Sequence, residues 1–275
     1  MAQITAADVS KLRRITGAGM MDCKKALEEA DGNFDKAIEI IRKKGQAVAN
    51  KRADREASEG VVLVKTNADG TRGVMIVLNC ETDFVAKNQD YIALAGKILE
   101  VALTGKPADL ESLKKLRLED TTVEEKIIEQ IGIIGEKIEL AYYDQLEEKM
   151  VVAYIHPGNK LSTMVAFNKK VDVQVGKDLA MQVAAMSPVA VDKDDVTPET
   201  IAKEKEIGME QARREGKPEN MLEKIAEGKL QKFFKESTLL NQEFTKDSKK
   251  TVRQYLQETD KEVTVKAFRR YSLNL

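Results

Sequence analysis

The chain has 275 residues, of which 42% are hydrophobic and 33% are charged, so it can bury a sizeable core and is too apolar to be disordered. Its 45 Lys and Arg residues and 46 Asp and Glu residues give a net charge of -1, which excludes a general electrostatic attraction to DNA, RNA or an anionic membrane. The patterns of apolar residues predict an α+β protein with at least two domains.

The amino terminus and the small number of cysteine and histidine residues predict a cytoplasmic protein without a cofactor. Residues 1–4 contain neither a basic nor an apolar segment, and no later run reaches the roughly 20 apolar residues that a membrane span needs. Cys23 and Cys80 stand singly and far apart in the sequence, which predicts reduced packing thiols. His156 is the only histidine, so no zinc site or other metal site is expected.

Residues 1–55 are predicted to form a small N-terminal domain of three helices and a linker. The turns 17–19 and 31–33 separate these helices, because glycine and asparagine tolerate a positive φ. The charged stretch 43–55 is typical of an exposed connecting helix or of a linker.

Residues 56–143 are predicted to form a first core subdomain with the order strand, turn, strand, helix. Two β-rich runs, 61–64 and 74–78, flank a turn at 67–70, which indicates a hairpin. Residues 122–143 are expected to form a further helix that leads into the first strand of a second sheet.

Residues 144–275 are predicted to form a second core subdomain in which the same order returns. Runs 150–154 and 164–167 flank a turn at 157–159, and the helical pattern at 179–185 follows. This repeat predicts a degenerate internal duplication. Its two β-hairpin/helix copies are expected to pack into one pseudo-symmetric central domain.

Within the second subdomain, residues 197–235 are predicted to form an antiparallel helical hairpin. Thr197, followed by proline, is a strong helix start, and residues 216–218 break the pattern. With few apolar positions, the hairpin is expected to project from the body; the alternative is a hairpin folded flat on the core. Segments 252–257 and 263–268 are predicted to be a helix and a strand that rejoin the second sheet.

The most suggestive local motif is Thr82, Asp83, Phe84 and Val85, at the point where a predicted buried strand turns into a helix. Residues presented on a rigid base often carry function. The same pattern is also explained by a helix cap at Thr82 or Asp83 with Phe84 or Val85 filling core. His156, beside a Pro-Gly turn, is interpreted as a turn residue.

No motif predicts an enzyme. The glycines of 17–19 follow a helix and lack the spacing of a phosphate loop, so direct nucleotide binding is not expected. The acidic run 192–195 lacks the glycine and glutamate of a calcium loop. The alternatives left open are a module whose helical domain binds a peptide, or one whose basic stretch 43–55 binds RNA.

Two blocks of sequence resemble the elongation factor Ts family. The first is Leu12-Arg13 with Thr16-Gly17-Ala18-Gly19-Met20-Met21-Asp22-Cys23-Lys24-Lys25-Ala26-Leu27, and the second is Asn79-Cys80-Glu81-Thr82-Asp83-Phe84-Val85-Ala86-Lys87. Shorter matches extend the resemblance over nearly the whole chain: Tyr154-x-His156-x-Gly158, Val183-Ala184-Ala185, Gly216-Lys217-Pro218 and Ser248-Lys249-x-Thr251-Val252.

The resemblance implies a fold and an activity. The fold is a three-helix head like a ubiquitin-associated domain, a two-part core and a coiled-coil hairpin. The activity is guanine nucleotide exchange in protein biosynthesis, in which the protein binds elongation factor Tu in its GDP-bound and nucleotide-free forms. Such a factor is not an enzyme in its own right.

The resemblance also implies roles for particular residues. Arg13, Met20 and Met21 are expected to contact the nucleotide domain of elongation factor Tu. Residues 82–85 are expected to enter the partner near its magnesium site and displace the ion. The second core copy is expected to grip another domain, with His156 as a secondary contact.

The chain departs from the family pattern at two places. Gln182 stands where many members have histidine, which puts a role for that side chain in doubt. Some members also continue into a further C-terminal helix beyond the strand 263–268, whereas this sequence ends at Leu275. We therefore expect partner affinity to depend more on the head and core.

Overall fold

The structure is a computed structural model that describes residues 3–273, and it contains two compact units. The first unit contains the described residues up to Leu63 together with Met75–Asp144 and Leu273. The second unit contains Val64–Val74 and Gln145–Ser272. Helices and strands occur in both units, which agrees with the predicted α+β class.

The first unit begins with helices and continues with a sheet and further helices. In chain order its elements are α1 (Ala6–Thr16), α2 (Met20–Glu29), α3 (Phe34–Arg52), β1 (Glu59–Thr66), β2 (Arg72–Cys80), α4 (Asp83–Ala86), α5 (Gln89–Gly105), α6 (Leu110–Lys115), β3 (Arg117–Leu118), β4 (Thr121–Thr122), α7 (Val123–Ile134) and β5 (Ile138–Glu147). Parts of β1, β2 and β5 belong to the second unit.

The three predicted N-terminal helices are present. A capping box between Thr5 and Asp8 starts α1, and Gly17 ends it with a φ of 70°, a conformation that glycine adopts without strain. The helices enclose a core of small and branched side chains: Val9, Leu12, Ala18, Cys23, Ala26, Leu27, Ala30 and Ala37. The third helix continues through most of the charged stretch to Arg52, so this stretch is a helix and not a linker.

The first sheet has the strand order β1-β2-β5. The predicted hairpin of β1 and β2 is confirmed, but the helix expected over 122–143 is wrong in its second half. Gly135, with a φ of 80°, ends α7, and the alternately buried Ile138 and Leu140 then begin β5. This strand pairs beside β2 and is not the first strand of the second sheet.

The second unit repeats the order of two strands and a helix. In chain order its further elements are β6 (Met150–Ile155), β7 (Leu161–Phe167), α8 (Val173–Met186), α9 (Pro198–Arg214), α10 (Leu222–Ser237), β8 (Glu243–Phe244), β9 (Asp247–Thr251), α11 (Val252–Thr259) and β10 (Val265–Ser272). Both late segments therefore form the predicted helix and strand, whereas the short β8 and β9 were not predicted.

The second sheet has the order β10-β7-β6, and both pairings are antiparallel. Val165 on the central strand lies opposite Val152 on one side and Phe268 on the other. The side chains of this strand and of α8 share one core with α11, which includes Phe167, Leu179 and Leu256. The strand predicted at 263–268 thus rejoins the second sheet as expected.

Helices α9 and α10 form the predicted helical hairpin. Arg213, near the end of α9, pairs with Glu219, just before α10, whereas Lys205, earlier in α9, pairs with Glu227 within α10, so the two helices are antiparallel. A Cβ on Gly208 would lie 3.3 Å from the Cβ of Ala226, which indicates a close approach of the two backbones. The projection of this hairpin from the body stays a prediction.

The predicted domain ranges, 1–55, 56–143 and 144–275, also stay predictions. Residues 1–2 and 274–275 at the two ends lie outside the described residues. Across residues 3–273, no helix combines the length and the apolar character that crossing a bilayer requires.

Candidate functional site

The predicted motif forms a tight turn that we call the 82–85 turn. Thr82 has extended backbone angles and caps α4 by accepting a hydrogen bond from the Val85 N–H at 3.5 Å. The predicted cap is therefore correct, but the helix it starts is a single turn. The longer helix α5 has its own cap, because Asn88 Oδ1 accepts the N–H of Asp90 at 2.8 Å.

Phe84 does not fill core. Its side chain is 83% exposed, whereas Ala86 two residues later is buried and anchors the turn. Asp83 lies in the first turn of α4, where a negative charge is favourable, and forms an ion pair with Lys87 at 2.6 Å. That hydrogen bond raises the pKa of Lys87. The turn therefore presents a large apolar ring to solvent beside paired charges.

Glu136 holds the first residue of the turn from the opposite side. One carboxylate oxygen accepts the Thr82 N–H at 3.0 Å, and the other accepts the Thr82 hydroxyl at 2.7 Å. Glu136 itself follows Gly135, the residue that ends α7. A carboxylate that receives both donors of one residue fixes the position of its backbone and side chain together.

A second carboxylate, that of Glu81, belongs to the residue directly before Thr82. It accepts two hydrogen bonds from the Arg52 guanidinium, at 2.9 and 3.2 Å, and one from the Lys137 N–H at 2.6 Å. Arg52 is the last residue of α3. The strand end that precedes the 82–85 turn is thus bonded both to the third helix of the head and to the start of β5.

The base of the turn is buried. The Cys80 thiol donates to the Thr82 carbonyl oxygen at 3.2 Å, and the Tyr91 hydroxyl donates to the Leu78 carbonyl oxygen at 2.6 Å. Burial raises the pKa of Cys80 to about 11 and also raises the pKa of Tyr91. Both groups are therefore neutral hydrogen-bonding groups at neutral pH. Together with Cys23, which is also buried and free, Cys80 confirms the predicted packing thiols.

The three expected contact residues of the head are all exposed. Arg13 lies in the last turn of α1, and Met20 and Met21 begin α2 after Gly19. The side chains of Met20 and Met21 are 43% and 62% exposed, which is unusual for methionine and leaves flexible apolar surface available. These three residues and the 82–85 turn belong to the same unit.

His156 belongs to the second unit, at the tip between β6 and β7. Its backbone N–H continues the hairpin by donating to the Leu161 carbonyl oxygen at 2.9 Å. The imidazole is exposed, and its Nδ1 lies 2.9 Å from the Tyr154 hydroxyl. This contact orients the ring, so the predicted turn residue also presents an ordered imidazole to solvent.

Gln182, the departure from the family pattern, is a buried structural residue. Its Nε2 donates to Gln242 Oε1 at 3.2 Å and to the Glu243 carbonyl at 3.1 Å, and its Oε1 accepts the Thr245 N–H at 2.9 Å. Both ends of the amide are satisfied. The side chain joins α8 to the segment around β8.

The sequence did not point to Glu136, Glu81 or Arg52. Glu81 lies within the block 79–87 that resembles the family, but neither of its partners, Arg52 and Lys137, is near it in the chain. Glu136 follows a glycine that ends a helix and carries no signal of a contact with Thr82. In the part of the chain that the structure describes, no group of three or more His, Cys, Asp or Glu side chains is arranged to hold a metal ion.

Comparison with known proteins identifies the family of the chain. The family model described as Elongation factor TS matches residues 81–274, a range that begins one residue before the 82–85 turn. Elongation factor Ts of Christiangramia forsetii is 52% identical over 99% of this chain and 100% of that protein. The chain belongs to the elongation factor Ts family. The head outside the family model is covered by this full-length similarity.

Two further members of the family show the same coverage. Elongation factor Ts of Amoebophilus asiaticus is 54% identical over 97% of this chain and 98% of that protein, and that of Bacteroides fragilis is 44% identical over 98% of each. Membership in the elongation factor Ts family places the chain among the elongation factors of protein biosynthesis that act in nucleotide exchange, and it implies elongation factor Tu as partner. Such a factor promotes release of a bound nucleotide and does not catalyse a covalent reaction.

Proposed function

We propose that this protein binds GDP-bound elongation factor Tu and speeds GDP release by inserting the 82–85 turn beside the partner's magnesium site. The observation that carries this proposal is Phe84, an 83% exposed aromatic ring on a turn whose base is buried and hydrogen-bonded. Burying such a ring at an interface is worth about 1.5–3 kcal/mol, so an exposed and fixed ring is a strong anchor for a partner.

The chemistry of the partner's site explains why a small intrusion is sufficient. A phosphate loop holds GDP through backbone N–H groups, and a Mg²⁺ ion needs near-ideal octahedral geometry. A ring wedged beside these groups shifts them, and the Asp83 carboxylate disturbs the groups that position the ion. The nucleotide is then held less tightly and leaves.

Other exposed residues supply affinity. Arg13, Met20 and Met21 are proposed to contact the nucleotide domain of elongation factor Tu, and the second core copy to bind another domain. His156, oriented by Tyr154, is proposed as a further contact with the partner. None of these residues needs to touch the nucleotide.

Exchange is a matter of linked equilibria. The protein binds nucleotide-free elongation factor Tu more tightly than the GDP-bound form. GDP therefore weakens the binding of this protein to elongation factor Tu, and this protein weakens the binding of GDP by the same factor. The protein does not choose which nucleotide enters next, which the cellular excess of GTP decides.

The charge pairing of the basic stretch 43–55 speaks against RNA as the partner. Lys43 pairs with Glu39 at 2.8 Å, Lys44 with Asp22, and Arg52 with Glu81 at 2.9 Å. These carboxylates reduce the positive charge that the stretch can offer to phosphates. RNA binding at this stretch would weaken steeply with increasing salt and would be unaffected by Phe84→Ala. Nucleotide exchange, in contrast, would be reduced by Phe84→Ala.

The experiment follows release of fluorescent GDP from elongation factor Tu after a chase with unlabelled GDP. We expect micromolar protein to accelerate release, and Phe84→Ala to remove most of the acceleration. Val189→Ala, which removes another exposed apolar side chain, is the matched control and leaves release unchanged. If the unaltered protein gives no acceleration, the exchange function is wrong.

A chelator separates the role of the ion from the rest. With Mg²⁺ removed by EDTA, basal release speeds up, and the unaltered protein and the Phe84→Ala variant are expected to give similar rates. If the difference between them persists without Mg²⁺, the 82–85 turn does not act through the ion, although the exchange function stands.

A further inference from the structure

We infer that Glu136 is a positioning residue for exchange: its carboxylate holds the 82–85 turn in the geometry that presents Phe84 to the partner. This inference rests on the proposed function of the turn. Glu136 is separated from Thr82 by 54 positions in the chain, yet it accepts both donors of that residue, at 3.0 and 2.7 Å.

Apart from the buried Ala86, the other contacts described for the turn join residues close together in the chain. Helix α4 is only 4 residues long, and its cap hydrogen bond from Val85 to Thr82 is a long one of 3.5 Å. An isolated helical turn of this length is not stable in water. The exposed Phe84 ring cannot order the turn by packing, since 83% of its surface is open to solvent. The two hydrogen bonds to Glu136 therefore carry much of the order.

Glu81 completes the support one residue earlier. Its carboxylate joins Arg52 and the Lys137 N–H, and Lys137 is the next residue after Glu136. Segment 136–137 thus binds the two residues that follow β2. The Glu136 side chain binds Thr82, and the Lys137 backbone N–H binds Glu81. Such an arrangement holds the backbone of the turn at its entry, where a rotation would displace Phe84 most.

The functional consequence is preorganisation. A ring already held in its bound position loses little conformational entropy on insertion, so more of its contact energy is available to weaken GDP. When Glu136 is removed, the turn samples other positions and must be ordered during exchange. Affinity that the head supplies is unaffected, because Arg13, Met20 and Met21 do not contact Glu136 in any hydrogen bond or ion pair of the described residues.

A split between affinity and maximal rate is the first readout. Glu136→Ala is expected to lower the saturating rate of GDP release roughly tenfold, since it removes two hydrogen bonds to a charged acceptor. The concentration for half-saturation is expected to change less than twofold. Glu139→Ala is the matched control, because Glu139 is a nearby carboxylate, 51% exposed, that pairs only weakly with Lys137 at 3.2 Å.

A double-mutant cycle distinguishes positioning from general structural damage. If Glu136 acts by presenting Phe84, then Glu136→Ala has almost no further effect in a Phe84→Ala background. Additive losses would instead show that Glu136 supports the fold, and the inference would be overturned. Glu136→Gln keeps one acceptor for Thr82, so its rate of GDP release is expected to lie between those of the unaltered protein and of Glu136→Ala. This variant replaces Glu136→Ala in the cycle if Glu136→Ala does not fold.

Mobility of the turn can be measured without the partner. The chain contains no tryptophan, so Phe84→Trp introduces a single indole on the turn itself, which can be excited selectively over the tyrosines. Glu136→Ala in that background is expected to lower the steady-state anisotropy of the indole on the nanosecond timescale, and Glu139→Ala to leave it unchanged. Unchanged anisotropy in both variants contradicts the inference.

The two proposals fail in different ways. If the unaltered protein does not accelerate GDP release, the proposed function is wrong. If it does, and Phe84→Ala slows release while Glu136→Ala leaves both rate and anisotropy as they were, only the positioning role of Glu136 is wrong.

Discussion

Gly45 on α3 and Gly132 on α7 bring the backbones of two helices into direct contact. A Cβ on Gly132 would lie 2.7 Å from the Cα of Gly45, and one on Gly45 would lie 3.3 Å from the Ile128 carbonyl oxygen. The neighbouring atoms are backbone, which cannot move aside as a side chain can. The head is therefore joined to the rest of the first unit at a point where a larger residue does not fit.

Gly132→Ala is expected to destabilise the protein by about 1–3 kcal/mol, because the added methyl group forces the two helices apart. Gly96→Ala is the matched control, since Gly96 lies in α5 with no heavy atom within 4 Å of an added Cβ. That change is expected to stabilise by about 0.5–1 kcal/mol through helix propensity. Denaturant unfolding of both variants measures the difference, and equal stability of the two contradicts the close contact.

The neutral thiol of Cys80 predicts a loss of stability at alkaline pH. Its pKa in the folded protein is raised to about 11, whereas a cysteine in an unfolded chain ionises near pH ~8.5. Above that pH the unfolded chain loses the proton and the folded chain keeps it, so unfolding becomes easier as pH rises toward 11. The stabilisation is complete below the unfolded pKa.

Unfolding measured against a Cys80→Ala variant isolates this effect. In a Cys23→Ala background, the stability difference between the protein with Cys80 and the Cys80→Ala variant is expected to fall by about 3 kcal/mol between pH 8 and pH 11, since one pKa unit corresponds to about 1.4 kcal/mol. The thiol should also resist alkylation at pH 8 until the protein is unfolded. Rapid alkylation of the folded protein would show that the base of the 82–85 turn is open.

Asp178 predicts a loss of stability in acid. Burial opposes the ionisation of this carboxyl group, but hydrogen bonds from Lys246, Gln174 and Tyr255, at 2.7, 2.7 and 3.0 Å, outweigh it and lower its pKa. Because the folded pKa lies below the unfolded value of about 3.9, the stabilisation is present above that pH. It is lost as pH falls through the folded pKa.

Asp178→Asn is expected to destabilise by roughly 2 kcal/mol at neutral pH, because hydrogen bonds to a charged group are the stronger kind. The difference from the unaltered protein should shrink as the pH falls below about 4. The control is Asp194→Asn, an exposed residue in a short 3-10 turn, with an effect within about 0.5 kcal/mol. A difference that stays constant down to pH 2 contradicts the ionised state of Asp178.

Local chemistry made part of the fold predictable from the sequence. The continuous β-rich runs predicted both hairpins, and Thr197 predicted a correct helix start, since caps depend on neighbouring residues only. Thr82 caps only the single turn α4, whereas the long helix α5 begins after Asn88. The strand β5 was mistaken for a helix because an apolar segment directly follows the helix α7. The alternation of the buried Ile138 and Leu140 was the signal that distinguishes the two.

Of the candidate site, the sequence predicted the 82–85 turn but not the residues that hold it in place. Thr82 to Val85 form one contiguous motif, so a resemblance could point to them. Glu136 and Arg52 reach the motif from distant parts of the chain, and carboxylates and guanidinium groups are common on any surface. Only the folded structure shows that these particular ones hold the turn.

Nucleotide exchange is tested by the affinity of this protein for elongation factor Tu with and without GDP, measured by calorimetry at one salt and Mg²⁺ concentration. We expect much tighter binding to the nucleotide-free partner, with GDP weakening this binding by the same factor by which this protein weakens GDP binding. Equal affinity for the two forms would mean that the protein binds without promoting exchange, which would contradict the proposed function.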